Sequence, residues 1–458
     1  MACDISTLPR EVMIHVFEFL DVGDRLKASQ VCKKWLKTID CPELLCDVKV
    51  QFSRSREVDE AVKRFFHMTR RFQWFSFCKI VIGNSVIELL EKYSNQLVIL
   101  SFIDCTVDEG NSQSKFKDYV ISELTKCLSK LERLLLYNTV SFEVEAYKRF
   151  YVDEEALENN PSDKVFTFSS IKLLIEKNRT TLRHVDFTFL RFSAEAVLSI
   201  SEIEGLKLRS VLFPRNFLSS SIPKFCEMQS SLIYLNLSSV LHGTDSTVCD
   251  VCKLLHNLKE LIIKKNPTID RCICEIFQLQ NLLKLDVSGS MNISESSYQE
   301  AVANLKTFKL KYLDLHFAKI SDDSLFKLLK CNQNIRYLDA SGIRVSNKTL
   351  NMICQTLTLL KCLILEPCPT ISDSGLTGEF ENYSDSIAPT PLSNLKYLKV
   401  LILSSNSLIT NQGCIKAIRF RKLVNLSLTA CRGLILNDDF EIELKKQNPC
   451  LRNFRKSN

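Results

Sequence analysis

The chain has 458 residues, 60 of them Lys or Arg against 53 Asp or Glu, for a net charge of +7. Hydrophobic residues make up 45% and charged residues 25%, enough for a continuous core. The charge is too balanced over this length to point to a nucleic-acid partner, and no run of eighteen apolar residues predicts a membrane span.

The first forty-odd residues form a block of their own. LPREVMIHVFEFL from Leu8 predicts a helix opened by Pro9, with Val12, Met13, Val16, Phe17 and Leu20 spaced for one apolar side. A polar break at Asp21 to Asp24 precedes a second short helical stretch, and VCKKWLKTI comes next from Val31. So short a segment cannot bury all these side chains, and some are expected to dock on a partner or on the residues beyond the block. No signal peptide is expected, because Asp4, Arg10 and Glu11 interrupt any apolar h-region, and RNFRKSN at the other end has no prenylation box.

This block resembles an F-box: Leu8-Pro9 with Glu11, the Val16-Phe17 pair, Leu20, Asp24, Ser29, and Val31-Cys32 with Trp35 stand at the family's spacing over about residues 4 to 45. The resemblance implies a three-helix module that docks on a Skp-type adaptor and through it on a cullin-RING ubiquitin ligase. It further implies that Leu8, Pro9, Glu11, Val12 and Val16 face the adaptor, while Phe17, Leu20, Val31, Cys32 and Trp35 hold the module together. Two positions depart from the pattern: Arg25 stands where an apolar residue is usual, and Leu44-Leu45 replaces Leu-Trp. A plain helical cap that only seals the next domain is the alternative.

Beyond the module, the basic stretch from Arg54 to Arg71 reads as an amphipathic helix with a solvated face. From Leu45 a unit spelled L-x-x-L-x-L-x-x-N or C recurs about every twenty-five residues. Its clearest copies start at Leu258, Leu360, Leu398 and Leu423; others start at Leu182, Leu208, Leu232, Leu282, Leu310 and Ile335, with an incomplete one at Leu451. Looser copies start at Leu45, Phe72, Leu97 and Leu131, giving about fourteen readable units plus the incomplete last one. Each L-x-L is expected to be a short strand whose alternate side chains enter the interior, and stretches such as ISDDSLFKLLKC from Ile320 supply helices. Stacking then gives a right-handed solenoid, a horseshoe with parallel strands on its concave face and α/β in class. An F-box followed directly by such units resembles the leucine-rich-repeat F-box family. The expected domains are residues 1–44 and 45–458.

Residues three, five and seven of each unit are expected to point to the open face. Three adjacent units then stack Asp286, Asp314 and Asp339, with Tyr312, Tyr337 and His316 beside them: an acidic, tyrosine-flanked track for a Lys- or Arg-bearing substrate, unless aspartate is a common filler there. The 51-residue step from Leu131 to Leu182 holds a degenerate unit or an insertion near 143–181, including Asp153-Glu154-Glu155. The 38-residue step from Leu360 to Leu398 holds an insertion near 377–394.

Nineteen cysteines, an odd number without an export signal, predict reduced thiols in cytoplasm or nucleus. Cys249 and Cys252 make a C-x-x-C, but Cys272 and Cys274 are one residue apart, a poor zinc pattern; no metal or cofactor is expected. Cys249-Asp250 has no histidine to serve as a base, and no P-loop, dinucleotide fingerprint, H-E-x-x-H or G-x-S-x-G is present. The resulting expectation is a non-catalytic substrate receptor of an SCF-type ubiquitin ligase, with a protein-binding scaffold or inhibitor as the alternative.

Overall fold

The computed structural model describes residues 8–53, 58–107, 122–137, 168–188, 193–214, 217–238, 244–267, 269–305, 309–379 and 389–456. They fall into two compact units, Met1–Phe217 and Leu218–Asn458. The Asp153-Glu154-Glu155 run lies outside the described residues.

The first unit begins with α1 (Arg10–Glu18), α2 (Val22–Ala28), α3 (Lys33–Ile39) and a single turn, α4 (Pro42–Leu45), one helix more than expected. Pro9 sits just ahead of α1, where its missing N–H is no loss. Asp21 caps α2 by accepting from Asp24 N–H at 2.8 Å. Met13, Phe17, Ile39 and Leu44 close the module's core, each no more than 1% exposed. Trp35 lies edge-on to Phe17 at 5.2 Å.

Six parallel strands come next in this unit: Lys49–Ser53, Trp74–Cys78, Ile99–Ile103, Arg133–Tyr137, His184–Asp186 and Ser210–Leu212, each paired with its successor. In the register, Val50 pairs with Phe75 and Phe52 with Phe77. The first unit's phase therefore starts at Asp47, two residues later than expected, because Leu45 is committed to α4 and fully buried there. Aromatic residues replace leucine on the inner side: Phe52 stacks on Phe77 at 5.2 Å and Phe77 on Phe102 at 5.5 Å. Arg133–Tyr137 pairs directly with His184–Asp186, so these two strands are neighbours in the ladder across the long step. Among the described residues of the expected 54–71 helix, Val58–Phe66 is helical and the helix ends before Arg71; Arg70 beyond it turns back to the module.

The second unit carries nine parallel strands, Tyr234–Asn236, Glu260–Ile262, Lys284–Asp286, Tyr312–Asp314, Tyr337–Asp339, Cys362–Ile364, Val400–Ile402, Asn425–Ser427 and Asn453–Arg455. Their middle residues, from Leu235 to Leu426, are 0 or 1% exposed and meet in register. Each such leucine stabilises the stack by about 2 kcal/mol, because its neighbours above and below exclude water from it.

Polar side chains tie one repeat to the next. Asn406, at the ninth position of its unit, accepts from Cys368 N–H at 2.7 Å and donates to the Leu365 and Leu403 carbonyls at 2.8 Å. The thiols of Cys368 and Cys431 reach carbonyls of the preceding strand-to-helix turn, and the Ser290 hydroxyl accepts from Asn266 N–H and donates to the Ile263 carbonyl. A second relay runs along the helix starts. An acidic or amide residue in the first turn of one helix, or just ahead of it, accepts from the next helix's cap: Asp270 from Ser294, Glu295 from Ser321, Asp322 from Ser346, Asn347 from Ser372 and Asp373 from Thr410. Gly413 is required beside this relay, since a Cβ there would collide with the Asp373 carboxylate. Strand Cys362–Ile364 pairs directly with Val400–Ile402, and the C-terminal end of the second insertion is pinned to the helix Asn347–Thr356, Thr390 N–H to Asn351 and Asn394 to the Cys354 carbonyl.

Candidate partner-binding surfaces

On the helical module, the geometry of α1 sorts its apolar residues into two sets. Met13 and Phe17 point inward, while Pro9, Glu11 and Val12 are exposed and Val16 is half-buried. Leu8 and Leu20 pack on the rim of the core. Two of the residues expected inside are outside: Val31 is 64% exposed, and Cys32 is exposed, its sulfur accepting from Trp35 N–H at 3.4 Å as the cap of α3. They end the turn between α2 and α3, where the chain has no second layer to cover them. Phe19, 80% exposed, is an apolar surface residue that the sequence pattern did not single out; it falls just past α1, off the buried stripe, and that offset in an apolar side chain is its signal.

The two departures from the family pattern have structural roles. Arg25 is 5% exposed; it donates to the Leu44 carbonyl at 2.8 Å and pairs with Asp47, joining α2 to the entry of the first strand. Leu44 and Leu45 are fully buried at the same junction. Arg70 adds a second tie, to Asp40 at 3.2 Å and to Ser29 at 3.1 Å. A charge buried this way needs its partners, so Arg25 is spent on the module's seam and not on its outer surface.

In the second unit the residues of the expected track do stack: Asp286, Asp314 and Asp339 are partners in the ladder, as are Lys284, Tyr312 and Tyr337. The aspartates, however, are not solvated on the open face. They are 1%, 6% and 8% exposed. Each bends to the end of its own strand and accepts from the backbone N–H two residues on: Ser288 at 3.2 Å, His316 at 3.1 Å and Ser341 at 2.9 Å. Asp186 and Asn236 make the same turn, which is why short acceptor side chains recur at this position. Lys264 reaches Asp286 at 2.8 Å. Burial first, then Asp286, push Asp314 up to about 6.

What faces outward is aromatic. The Tyr312 and Tyr337 rings are stacked with centroids 4.0 Å apart and planes 6° from parallel, and the Lys284 ammonium sits 4.8 Å from the Tyr312 ring. His316 is partly exposed and lies 3.9 Å from Asp339. In the first unit, burial and then Arg133, Arg209 and Arg183 bring His184 down to about 4, so it stands neutral between cations.

Cys249 is pushed up by burial and then by Glu275 and Asp245, the wrong direction for a nucleophile, and burial also raises Cys252, Cys272 and Cys274. All described cysteines are free thiols, and among the described residues no group of three or more His, Cys, Asp or Glu is placed to hold a metal. No helix among the described residues is long and apolar enough to cross a membrane.

A family model for F-box-like domains matches residues 5–45. The F-box/LRR-repeat protein 21 of Mus musculus is 24% identical over 220 residues, 44% of this chain and 44% of that protein. The F-box/TPR repeat protein pof3 of Schizosaccharomyces pombe is 21% identical over 378 residues, 74% of this chain and 62% of that one. The chain thus spans less than two thirds of either relative's length. Among solved structures, the Rad7 and Elc1 complex of yeast contains a chain similar to this one at 15% identity and a TM-score of 0.49, covering 97% of this chain and 87% of that one.

Proposed function

With the chain an F-box repeat protein, we propose that it is the substrate-recognition subunit of an SCF-type ubiquitin ligase. Its helical module docks a Skp-type adaptor and thereby a cullin-RING core, and its repeats hold a protein marked for ubiquitin transfer and proteasomal degradation. Catalysis belongs to the partners, and the receptor works in cytoplasm or nucleus. The observation that carries this reading is the outer side of α1: Pro9 and Val12, with Phe19 and Val31 beyond the helix, remain uncovered and Val16 only half-covered, over a core that Met13, Phe17 and Leu44 already close. Apolar area left out of a completed core is what an obligate partner covers. Leu8 and Glu11 complete the proposed adaptor surface.

The proposed substrate surface is the strand face at Tyr312, Tyr337 and His316. The stacked rings offer rigid contact area, and Asp286, Asp314 and Asp339 set the turns behind them rather than meeting the ligand directly. The test is reconstitution: the full chain is mixed with purified adaptor, cullin and RING subunits, and complex formation and ubiquitin transfer to captured proteins are measured. Failure to bind the adaptor would leave a scaffold that holds a protein without ubiquitin transfer.

A further inference from the structure

The net charge is not shared between the units. Residues 1–217 contain 31 Lys and Arg and 31 Asp and Glu, whereas residues 218–458 contain 29 against 22, so the whole +7 belongs to the second unit. Within it the charge is sorted by position. The nine segments that lead into a strand, each from the helix or 3-10 turn before it, hold twelve Lys or Arg and no Asp or Glu. Four of the carboxylates at helix starts, Asp270, Glu295, Asp322 and Asp373, are held by the capping relay.

On four consecutive repeats the residue that precedes the strand by one is a cation: Lys311, Arg336, Lys361 and Lys399. Their backbones are hydrogen-bonded in sequence, Arg336 N–H to the Lys311 carbonyl at 2.7 Å, Lys361 to Arg336 at 2.8 Å and Lys399 to Lys361 at 2.8 Å. The spacing is therefore that of neighbouring strands, about 4.8 Å. All four are exposed, and among the described residues none of them forms an ion pair. Cations also complement helix C-termini, but that effect fades within the last turn, and these four lie five or more residues past the helix end. Like charges held in a row repel one another, and a multivalent anion relieves that repulsion.

We propose that this cationic rim of residues 311–399 docks an acidic or phosphorylated stretch of a protein substrate. Calling the ligand a substrate rests on the receptor reading above; the anion preference does not. A protein segment fits better than single-stranded nucleic acid, which needs aromatic platforms for its bases. Of the rings near this rim, Tyr397 already carries the Lys422 ammonium 4.5 Å from its centroid, and Tyr312 and Tyr337 are already stacked on each other at 4.0 Å.

The experiment titrates the full chain into three short fluorescent peptides of one length, bearing glutamates, phosphoserines or glutamines, and reads anisotropy between about 50 and about 200 mM salt. The two anionic peptides are expected to bind with a salt-dependent affinity, and the glutamine peptide is not; a preference between the first two tells phosphate from carboxylate. The R336E/K361E variant should lose about tenfold or more, and R336Q/K361Q less, with thermal unfolding unchanged. Equal binding of all three peptides, or undiminished binding by R336E/K361E, overturns the proposal. So does binding confined to a single-stranded oligonucleotide or to phosphatidylserine vesicles in parallel titrations. Adaptor pull-down in the same preparation reports separately on the receptor reading, since its failure would leave the peptide result standing.

Discussion

The helical module and the second repeat unit solve the same problem in opposite ways. The module closes a small core around Met13, Phe17 and Leu44 and leaves Val12, Phe19 and Val31 in water. The second unit buries its strand leucines almost completely and, at its polar positions, uses backbone and side-chain hydrogen bonds to link each repeat to the next. The two proposed docking surfaces therefore differ in kind: the one on the module is apolar and uncovered, while the one on the repeats is built from the groups the ladder leaves over, the stacked tyrosines and the rim cations. Mutations should separate the two kinds of group cleanly, harming affinity at the uncovered ones and stability at those that link buried elements.

The largest effect is expected on the module. Val12→Asp places a charge on the uncovered side of α1 without touching Met13 or Phe17, so adaptor affinity should fall by about 3 to 4 kcal/mol, the size of a hot-spot loss. Thermal unfolding should barely move. Calorimetric titration of the adaptor against the folded variant measures this, and unchanged affinity would remove the first half of the contrast. Asn406→Ala should do the reverse. It strands Cys368 N–H and the Leu365 and Leu403 carbonyls inside the stack, for a stability loss of about 3 kcal/mol by chemical denaturation with adaptor affinity retained.

Arg25→Met tests the seam. The substitution keeps the bulk but abandons the Leu44 carbonyl and Asp47, and since Asp47 is about half exposed the stability loss should be near 2 kcal/mol. Adaptor affinity per folded molecule should not change. A selective loss of affinity would place Arg25 on the docking surface instead of the seam.

Most of the architecture was legible because it is periodic. Strands begin two residues after each first position from Phe72 to Leu451, and only the Leu45 unit is out of phase, because a helical turn claims that leucine. The site was less legible. Alternation says that residue five of a unit leaves the interior, but a carboxylate is short enough to fold back on its own backbone, so Asp286, Asp314 and Asp339 became buried turn acceptors instead of an open track. Val31 and Cys32 matched a motif whose spelling does not say which side of the helix it marks. The capping relay joins residues 24 to 37 apart, and nothing local in any one copy announces it.

The smallest effect concerns the buried carboxylates of the strand face. Asp314 is raised from an ordinary 3.8 to about 6, chiefly by burial and then by Asp286. A raised folded value means that the stabilising advantage of the protonated form is complete below about 3.8 and is lost as pH climbs through about 6. Asp314→Asn has no such loss and keeps an oxygen for His316 N–H. The variant should match the wild type near pH 4 and exceed it by about 1 kcal/mol at pH 7, less than the full shift implies because an ionised acceptor makes the stronger bond. Denaturation midpoints across that range decide it: parallel curves would mean that the Asp314 carboxylate is solvated after all, and the strand face would regain the open acidic character its sequence first indicated.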